Sequence, residues 1–495
     1  MKAFENFGMI VLVCFLLVVG GTAFAVDGPS PPDDPITEEK PVPQDDREFF
    51  VDESTLPFAA VAGLPATQSW GIDHGAGYRI EVPDNWNGDL VMYTHGFRGE
   101  GLELTVDSPP LRLHYLANGF AWAASSYSTN NYDVRAGVHS TNSLARLFKQ
   151  TVGEPDRIFI TGFSMGGHVI GAAIEMFPNV KCPWGPGMEA CEELVAELGE
   201  LTGGIKYAGA APACGAMGDE ALFQYLGDVP LAGEALAGVA SQFPPPEDHL
   251  TSILFPTLFA LYDNPLALLD GNGSSAVLNT QGEKLRELTT ILSGGPRPGA
   301  TASFRFFQQL LFGFAGNDGT LNGVVSGNIY DNLVRNYQLD SDPALSADEV
   351  ALNSMILRVH RDRDVNKTFA MELERVPLIR GRISVPVLSI HTVGDLFVPL
   401  SMEQIYARDV AQKGRSQYLV SRVTRSILHC EFTAEELIET FDDLVEWVDT
   451  GVRPGGDDIL DPEQVADPQF GCAYSRGNTA TRPLVGQCDS GDAAL

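Results

Sequence analysis

Positive charge is what this chain has least of. Its 495 residues carry 32 Lys and Arg against 65 Asp and Glu, a net charge of −33. Nucleic acid binding needs a basic face to neutralise phosphates, and docking on anionic lipid needs basic clusters, so neither partner is expected. Such acidity serves solubility first. Cysteine is sparse, at seven residues, and no Cys/His spacing resembles a zinc site. The Gly271-Asn272-Gly273 turn lacks the regularly spaced carboxylates of a calcium loop. Neither a metal ion nor a cofactor is therefore expected. No internal repeat occurs. What is present is globular: 44% apolar and 20% charged residues, in a chain long enough for a large core and more than one structural unit.

The N-terminus reads as an export signal over residues 1–25. Lys2 starts it, Met9 to Val19 is apolar, and Ala23-Phe24-Ala25 offers small residues for cleavage. The apolar run is short for a membrane span, so no stable membrane insertion is expected once the signal is removed. Cys14 is preceded by Val13, where a lipid-anchor signal would want a small residue. Loss of Cys14 with the signal leaves six cysteines, an even number that suggests disulfides in an exported protein. Cys182 with Cys191 and Cys472 with Cys488 are the simplest local pairs, which leaves Cys214 with Cys430. Six cysteines permit fifteen connectivities.

Residues 26–48 are rich in Pro, Asp and Glu and read as a disordered linker. Folded material starts near Phe49. Gly77–Val82, Asp89–Tyr93 and Gly119–Ser125 are expected as strands, and Thr141–Thr151 as a helix with Leu144, Leu147 and Phe148 on one face. Another strand through Ile158, Phe159 and Ile160 follows, then one at Ile205–Ala210. From Gly215 to about Ile379 no strand alternation is visible, and apolar blocks predict a mainly helical insertion. Strands resume at Val385–Ile390 and Tyr418–Val420. Thr433 and Glu436 form a capping box ahead of a helix whose buried stripe is Leu437, Phe441, Leu444, Val445 and Val448. Alternating strands and helices imply a mainly parallel sheet flanked by helices.

Chemistry enters at Gly162-Phe163-Ser164-Met165-Gly166-Gly167. A strand running into a glycine-flanked serine and then a helix fits the nucleophile elbow, where the serine hydroxyl stands clear of the sheet. A serine needs a base, and the base needs an orienting carboxylate. His429 directly precedes the last strong helix, and Asp395 follows the strand ending at Ile390. Both belong on loops at the carboxyl edge of a parallel sheet, where ligands of open α/β sheets bind. Asp219 is the alternative acid. Two backbone donors are needed for the oxyanion, and Met165 N–H and Phe97 N–H fill that role, the latter from the strand running into His95-Gly96-Phe97. His95 and His168 read as structural residues.

His95-Gly96-Phe97 and Gly162-Phe163-Ser164-Met165-Gly166-Gly167, with Gly394-Asp395-Leu396-Phe397-Val398-Pro399 and His429-Cys430-Glu431-Phe432-Thr433, make four segments that stand in the order of the α/β-hydrolase superfamily. The chain resembles that superfamily, and within it the exported bacterial serine hydrolases of esterase and lipase type. The resemblance implies an α/β-hydrolase fold with a core at residues 49–214 and 380–455. A helical cap would occupy residues 215–379, and a tail held by its two cysteines residues 456–495. It also implies a Ser164–His429–Asp395 triad working through an acyl-enzyme. The tannase and feruloyl esterase group bridges the cysteine after its catalytic histidine to one just before its serine. This chain has Phe163 at that position, so that bridge cannot form.

The expected activity is hydrolysis of a small-molecule or polymeric carboxylic ester, in the periplasm or outside the cell. Phe255, Phe259, Phe306 and Phe307 of the insertion are candidate substrate-lining residues. A serine peptidase of the same superfamily is the alternative, with Glu372 and Glu374 as a candidate clamp for a chain terminus. A hydrolase-like binding protein is a third reading, opposed by the intact Ser, His and Asp set. The sequence leaves the oligomeric state open.

Overall fold

The computed structural model describes residues 47–176, 205–268, 275–313, 328–363, 365–366 and 373–488. The export signal, most of the acidic linker, Cys182, Cys191, the Gly271–Gly273 turn and Glu372 lie outside them.

Eight strands form one sheet: β1 Ala66–Asp73, β2 Ala76–Pro83, β3 Asp89–Thr94, β4 Ala121–Ser125, β5 Arg157–Phe163, β6 Gly209–Ala213, β7 Val387–Thr392 and β8 Leu419–Thr424. Their spatial order is β1-β2-β4-β3-β5-β6-β7-β8. β1 and β2 pair antiparallel, as do β2 and β4, and every other neighbour pair is parallel. This is the α/β-hydrolase fold.

The parallel strands are covered on both faces, which is why β3 and β4 are buried along their whole length. Period-two alternation sends Leu90 and Met92 to one face, packed with Val138, Leu144 and Phe148 of α1 (Val134–Thr151) and with Val169 and Ile170 of α2 (Met165–Met176). Val91, Tyr93, Trp122 and Phe159 point to the other face, against Phe441, Leu444 and Trp447. Those three lie on a helix at Ala434–Thr450, which Thr433 and Glu436 start with a complete capping box.

Two differences from the sequence reading have clear causes. The strand expected at Ile205–Ala210 is instead Gly209–Ala213. Its residues are small because helix Ala434–Thr450 presses on it: a Cβ on Gly209 would stand 3.1 Å from Leu444 and Val448 side chains. Ile205 and Tyr207 are buried in its approach. β1 had no counterpart in the sequence reading, because an edge strand with mixed exposure carries little apolar signal.

Between β6 and β7 the described residues include the helices α3 Ala221–Ala237, α4 Phe255–Leu261, α5 Thr280–Leu292, α6 Ala300–Gly313 and α7 Ala347–Met355. The insertion is tied directly to the loop after β7. Arg297 Nε donates to Val393 O at 2.6 Å, and Tyr225 Oη–H to Leu396 O at 3.1 Å. After β7 comes α8 (Leu400–Gln412). After β8 come a loop at 425–433 and α9 (the Ala434–Thr450 helix). No helix among the described residues is long and apolar enough to cross a membrane.

Candidate active site

Ser164 sits between β5 and α2 with φ +58°, a left-handed conformation that non-glycine residues rarely adopt. The flanking glycines are dictated by contact. Gly162 pairs with Thr94 of β3, and a Cβ there would overlap the threonine hydroxyl. A Cβ on Gly166 would overlap Thr94 O, and one on Gly167 would overlap the backbone of Gly215. The elbow is thus wedged between the ends of β3 and β6. Ser164 N donates to Ala213 O at 3.1 Å, while Ser164 O accepts from Gly167 N at 2.8 Å and Ala216 N at 3.2 Å. Both backbone groups are spent on fixing the turn, and the side chain is half-buried at its surface.

Asp395 and His429 meet on the loops after β7 and β8. His429 Nδ1 lies 2.5 Å from Asp395 Oδ2, and Asp395 is fully buried. Asp395 Oδ1 accepts from Phe397 N at 2.9 Å and Val398 N at 3.1 Å. A carboxylate so supplied with donors accepts the Nδ1 proton and leaves the Nε2 lone pair free. His429 Nε2 is buried and has no hydrogen-bond partner among the described residues, Ser164 Oγ included. The Phe397 ring stands edge-on to the imidazole, with centroids 5.1 Å apart at 87°.

A disulfide joins the serine and histidine regions. Cys214 follows Ala213, whose carbonyl holds Ser164 N, and Cys214 is bonded to Cys430 beside His429. Both cysteines have positive φ, at +46° and +58°. The two sulfurs and one His429 ring nitrogen lie within 4.8 Å of one another, but the sulfurs are consumed by their mutual bond and offer no thiolate to a metal. The tether on the histidine loop therefore starts from β6, one strand over from the elbow's own.

The loop on the other side of the nucleophile runs close by. A Cβ on Gly96 would stand 3.1 Å from Ser164 Cβ and 3.6 Å from its Oγ. Phe97 follows, partly buried. Met165 is the first residue of α2, so its N–H has no acceptor within the helix. His95 is stacked on Tyr127 at 3.8 Å, with ring nitrogens 2.7 Å from Gly96 O and 3.0 Å from Ser126 O. Burial, then the Arg98 charge, pushes it down to about 3, so the ring is neutral and donates to only one of these carbonyls. His168 is buried between Tyr132 Oη at 3.1 Å and Pro377 O at 2.7 Å. Both histidines are structural.

Asp219, the alternative acid, is spent elsewhere. It accepts from Glu220 N at 2.5 Å and Ile379 N at 2.9 Å, and burial pushes its carboxyl up to about 7. Among the phenylalanines of the insertion, Phe307 is buried and meets Phe306 edge-on at 5.0 Å. Phe306 is 47% and Phe259 59% exposed, and Phe255 is half-buried.

The sequence reading missed what braces the histidine loop. Ile427 N donates to Thr481 Oγ1 at 3.0 Å, and Glu431 accepts from the Ser426 and Thr481 hydroxyls. Arg482 Nε donates to Arg425 O at 2.8 Å, and Arg425 reaches back to Val485 O at 2.9 Å. The tail that supplies Thr481, Arg482 and Val485 is closed by the Cys472–Cys488 disulfide. The paired cysteines were the one visible sign that this Pro- and Gly-rich stretch folds.

The strand order, with the strand–Ser164–helix turn between β5 and α2, is that of the α/β-hydrolase fold. No protein-family model matches the chain. An o-phthalyl amidase from Xanthobacter agilis is 22% identical over 415 residues, 77% of this chain and 86% of that protein. Feruloyl esterase B from Aspergillus oryzae superposes with a TM-score of 0.40 at 12% identity, over 80% of this chain and 85% of that one. The rice cell wall degrading esterase LipA from Xanthomonas oryzae does so with a TM-score of 0.32 at 14% identity, over 76% and 85%. The fold assignment rests on the strand order itself.

Proposed function

We propose that the chain is an exported serine hydrolase that cleaves carboxylic esters through an acyl-enzyme. The observation that carries this is the Asp395-held imidazole of His429, its Nε2 buried and unpartnered, on the sheet edge where the elbow presents Ser164. The hydrogen bond between serine and base is often long before substrate arrives, so its absence here is compatible with the role. Ser164 Oγ attacks the ester carbonyl and its proton passes to His429 Nε2. Phe97 and Met165 N–H groups hold the oxyanion, and Asp395 stabilises the imidazolium. The alcohol leaves with that proton. Water, deprotonated by His429, then releases the acid. Two disulfides and the export signal read from the sequence support a destination in the periplasm or outside the cell.

Amide hydrolysis is the second reading, favoured by the 22% identity to an o-phthalyl amidase. The triad chemistry serves either bond. Fluorophosphonate labelling tests the common core: adduct on Ser164 in the wild type, none in Ser164→Ala of unchanged fold. Absence of adduct in folded wild type would overturn the serine mechanism. Turnover of p-nitrophenyl acyl esters against the matching anilides decides the bond, and faster anilide turnover would sink the ester assignment.

A further inference from the structure

Behind the Asp395–His429 pair lies a second buried imidazole and carboxylate that the reaction above does not use. Ser389 and His391 point to the same face of β7, where α8 brings Glu403 across them. All three are buried. Glu403 Oε2 accepts from Ser389 Oγ at 2.7 Å. Its Oε1 stands 3.5 Å from His391 Nδ1, and neither atom has a hydrogen-bond partner among the described residues. His391 Nε2 lies 2.8 Å from Val398 O and 3.9 Å from Asp395 Oδ2.

The proton positions follow. Val398 O can only accept, so Nε2 carries a proton. Nδ1 then faces Glu403 Oε1 lone pair to lone pair unless a second proton lies between them. That proton belongs to either residue. A second carboxylate, Asp395, on the far side of the same ring favours placing it on the imidazole. Burial alone would pull His391 down, but Glu403, Asp395 and the Val398 carbonyl outweigh it and hold the imidazole above its ordinary value.

The other ionisable groups around this pair are accounted for. Arg297, from the insertion, shares the Asp395 field and stays cationic, although burial lowers it to about 10. Tyr225 of α3 is neutral and donates to Leu396 O. Tyr406 lies one turn beyond Glu403 on α8. Burial, Glu175 and Glu403 keep it neutral.

We infer that His391 and Glu403 are positioning residues for the triad: a buried ion pair that stands behind Asp395 and offsets part of its negative charge. Asp395 can then orient His429 without holding the base in its protonated, inactive form at working pH. The inference rests on the triad reading proposed above.

Replacing Glu403 with Gln removes the charge that keeps the His391 proton. Asp395 then acts on His429 uncompensated, and the protonated base persists to higher pH. The acid limb of kcat/KM, which reports the free enzyme's base, should rise by about one pH unit while the plateau changes only a few-fold. Glu403→Asp, which keeps the carboxylate, should return the limb toward the wild type. A folded E403Q with a superimposable profile overturns the inference. Should E403Q fail to fold, the wild type decides. Imidazole 15N resonances of His391 at pH 7 should show both nitrogens protonated, and one unprotonated nitrogen overturns the pair. Fluorophosphonate labelling separates the two layers. If the wild type labels at Ser164 but the limb does not move in E403Q, only the pair is lost, whereas a folded wild type that never labels loses the triad and the pair together.

Discussion

At the scale of single residues, the proposed reacting groups stand out in the sequence because the chemistry proposed for them requires a local pattern. Ser164 needs glycines at 162, 166 and 167 for lack of space beside Thr94 and Gly215, and that need is written into consecutive positions. His429 and Asp395 were legible by their order and their place after strands. Phe397 was not, since an aromatic ring edge-on to an imidazole leaves no pattern in sequence. Nor was the role of Gly394, which is boxed between the Ser303 hydroxyl of α6 and Ile427. Asp395→Asn is the sharpest single-residue test. An amide nitrogen facing His429 Nδ1 forces the proton onto Nε2 and removes the base. The turnover rate should fall by about 10³- to 10⁴-fold with the circular dichroism unchanged. A loss under tenfold would mean that another carboxylate orients the base, and Asp219 is tied to Ile379 and Glu220.

At the scale of elements, the helices and central strands followed from apolar periodicity, and the pieces that place the histidine did not. β6 was displaced in the reading because Gly-Ala-Ala-Pro-Ala has no β-branched residue, though the packing of α9 demands small ones. The loop at 425–433 has no regular structure and is fixed by groups far away in sequence: the Cys214 bridge on one side and the tail on the other. Such long-range polar contacts carry no periodic signal. Thr481→Val tests the tail's part in this. It keeps the shape but strips buried Ile427 N of its acceptor and half-buried Glu431 of a donor, at a cost of about 1–3 kcal/mol. We expect kcat to drop about tenfold with KM within a factor of two, and Thr481→Ser to restore it. Equal activity in Thr481→Val and wild type would show that the tail does not brace the base.

For the whole molecule, acidity and burial act in the same direction. Burial pushes buried carboxyls up: Asp219 and Glu234 to about 7, Asp228 and Asp457 to about 6, and Glu175 and Glu436 in the same direction. For each, the folded state holds its proton to higher pH than the unfolded chain, whose carboxyls titrate near the ordinary values of 3.8 and 4.5. Their contribution to stability is therefore complete below about pH 4 and is lost as pH rises from there through the folded values of about 6 to 7. The net charge of −33 adds self-repulsion over the same interval. Asp331 and Glu349, whose hydrogen bonds hold them low, oppose this only once pH falls toward their own range. The midpoint of thermal unfolding should accordingly climb by a few degrees between pH 8 and pH 5.5, and turn over below about pH 4. Adding 0.5 M salt should flatten the part due to surface repulsion and leave the buried part, because screening acts on exposed charges. Hydrolysis by a histidine base runs the other way, falling as the imidazole takes up a proton. The conditions for greatest stability and greatest activity should then separate, with the protein most stable where it turns over least. A midpoint that is highest at pH 8, or that does not move across this range, would show that the buried carboxyls do not titrate as their surroundings require.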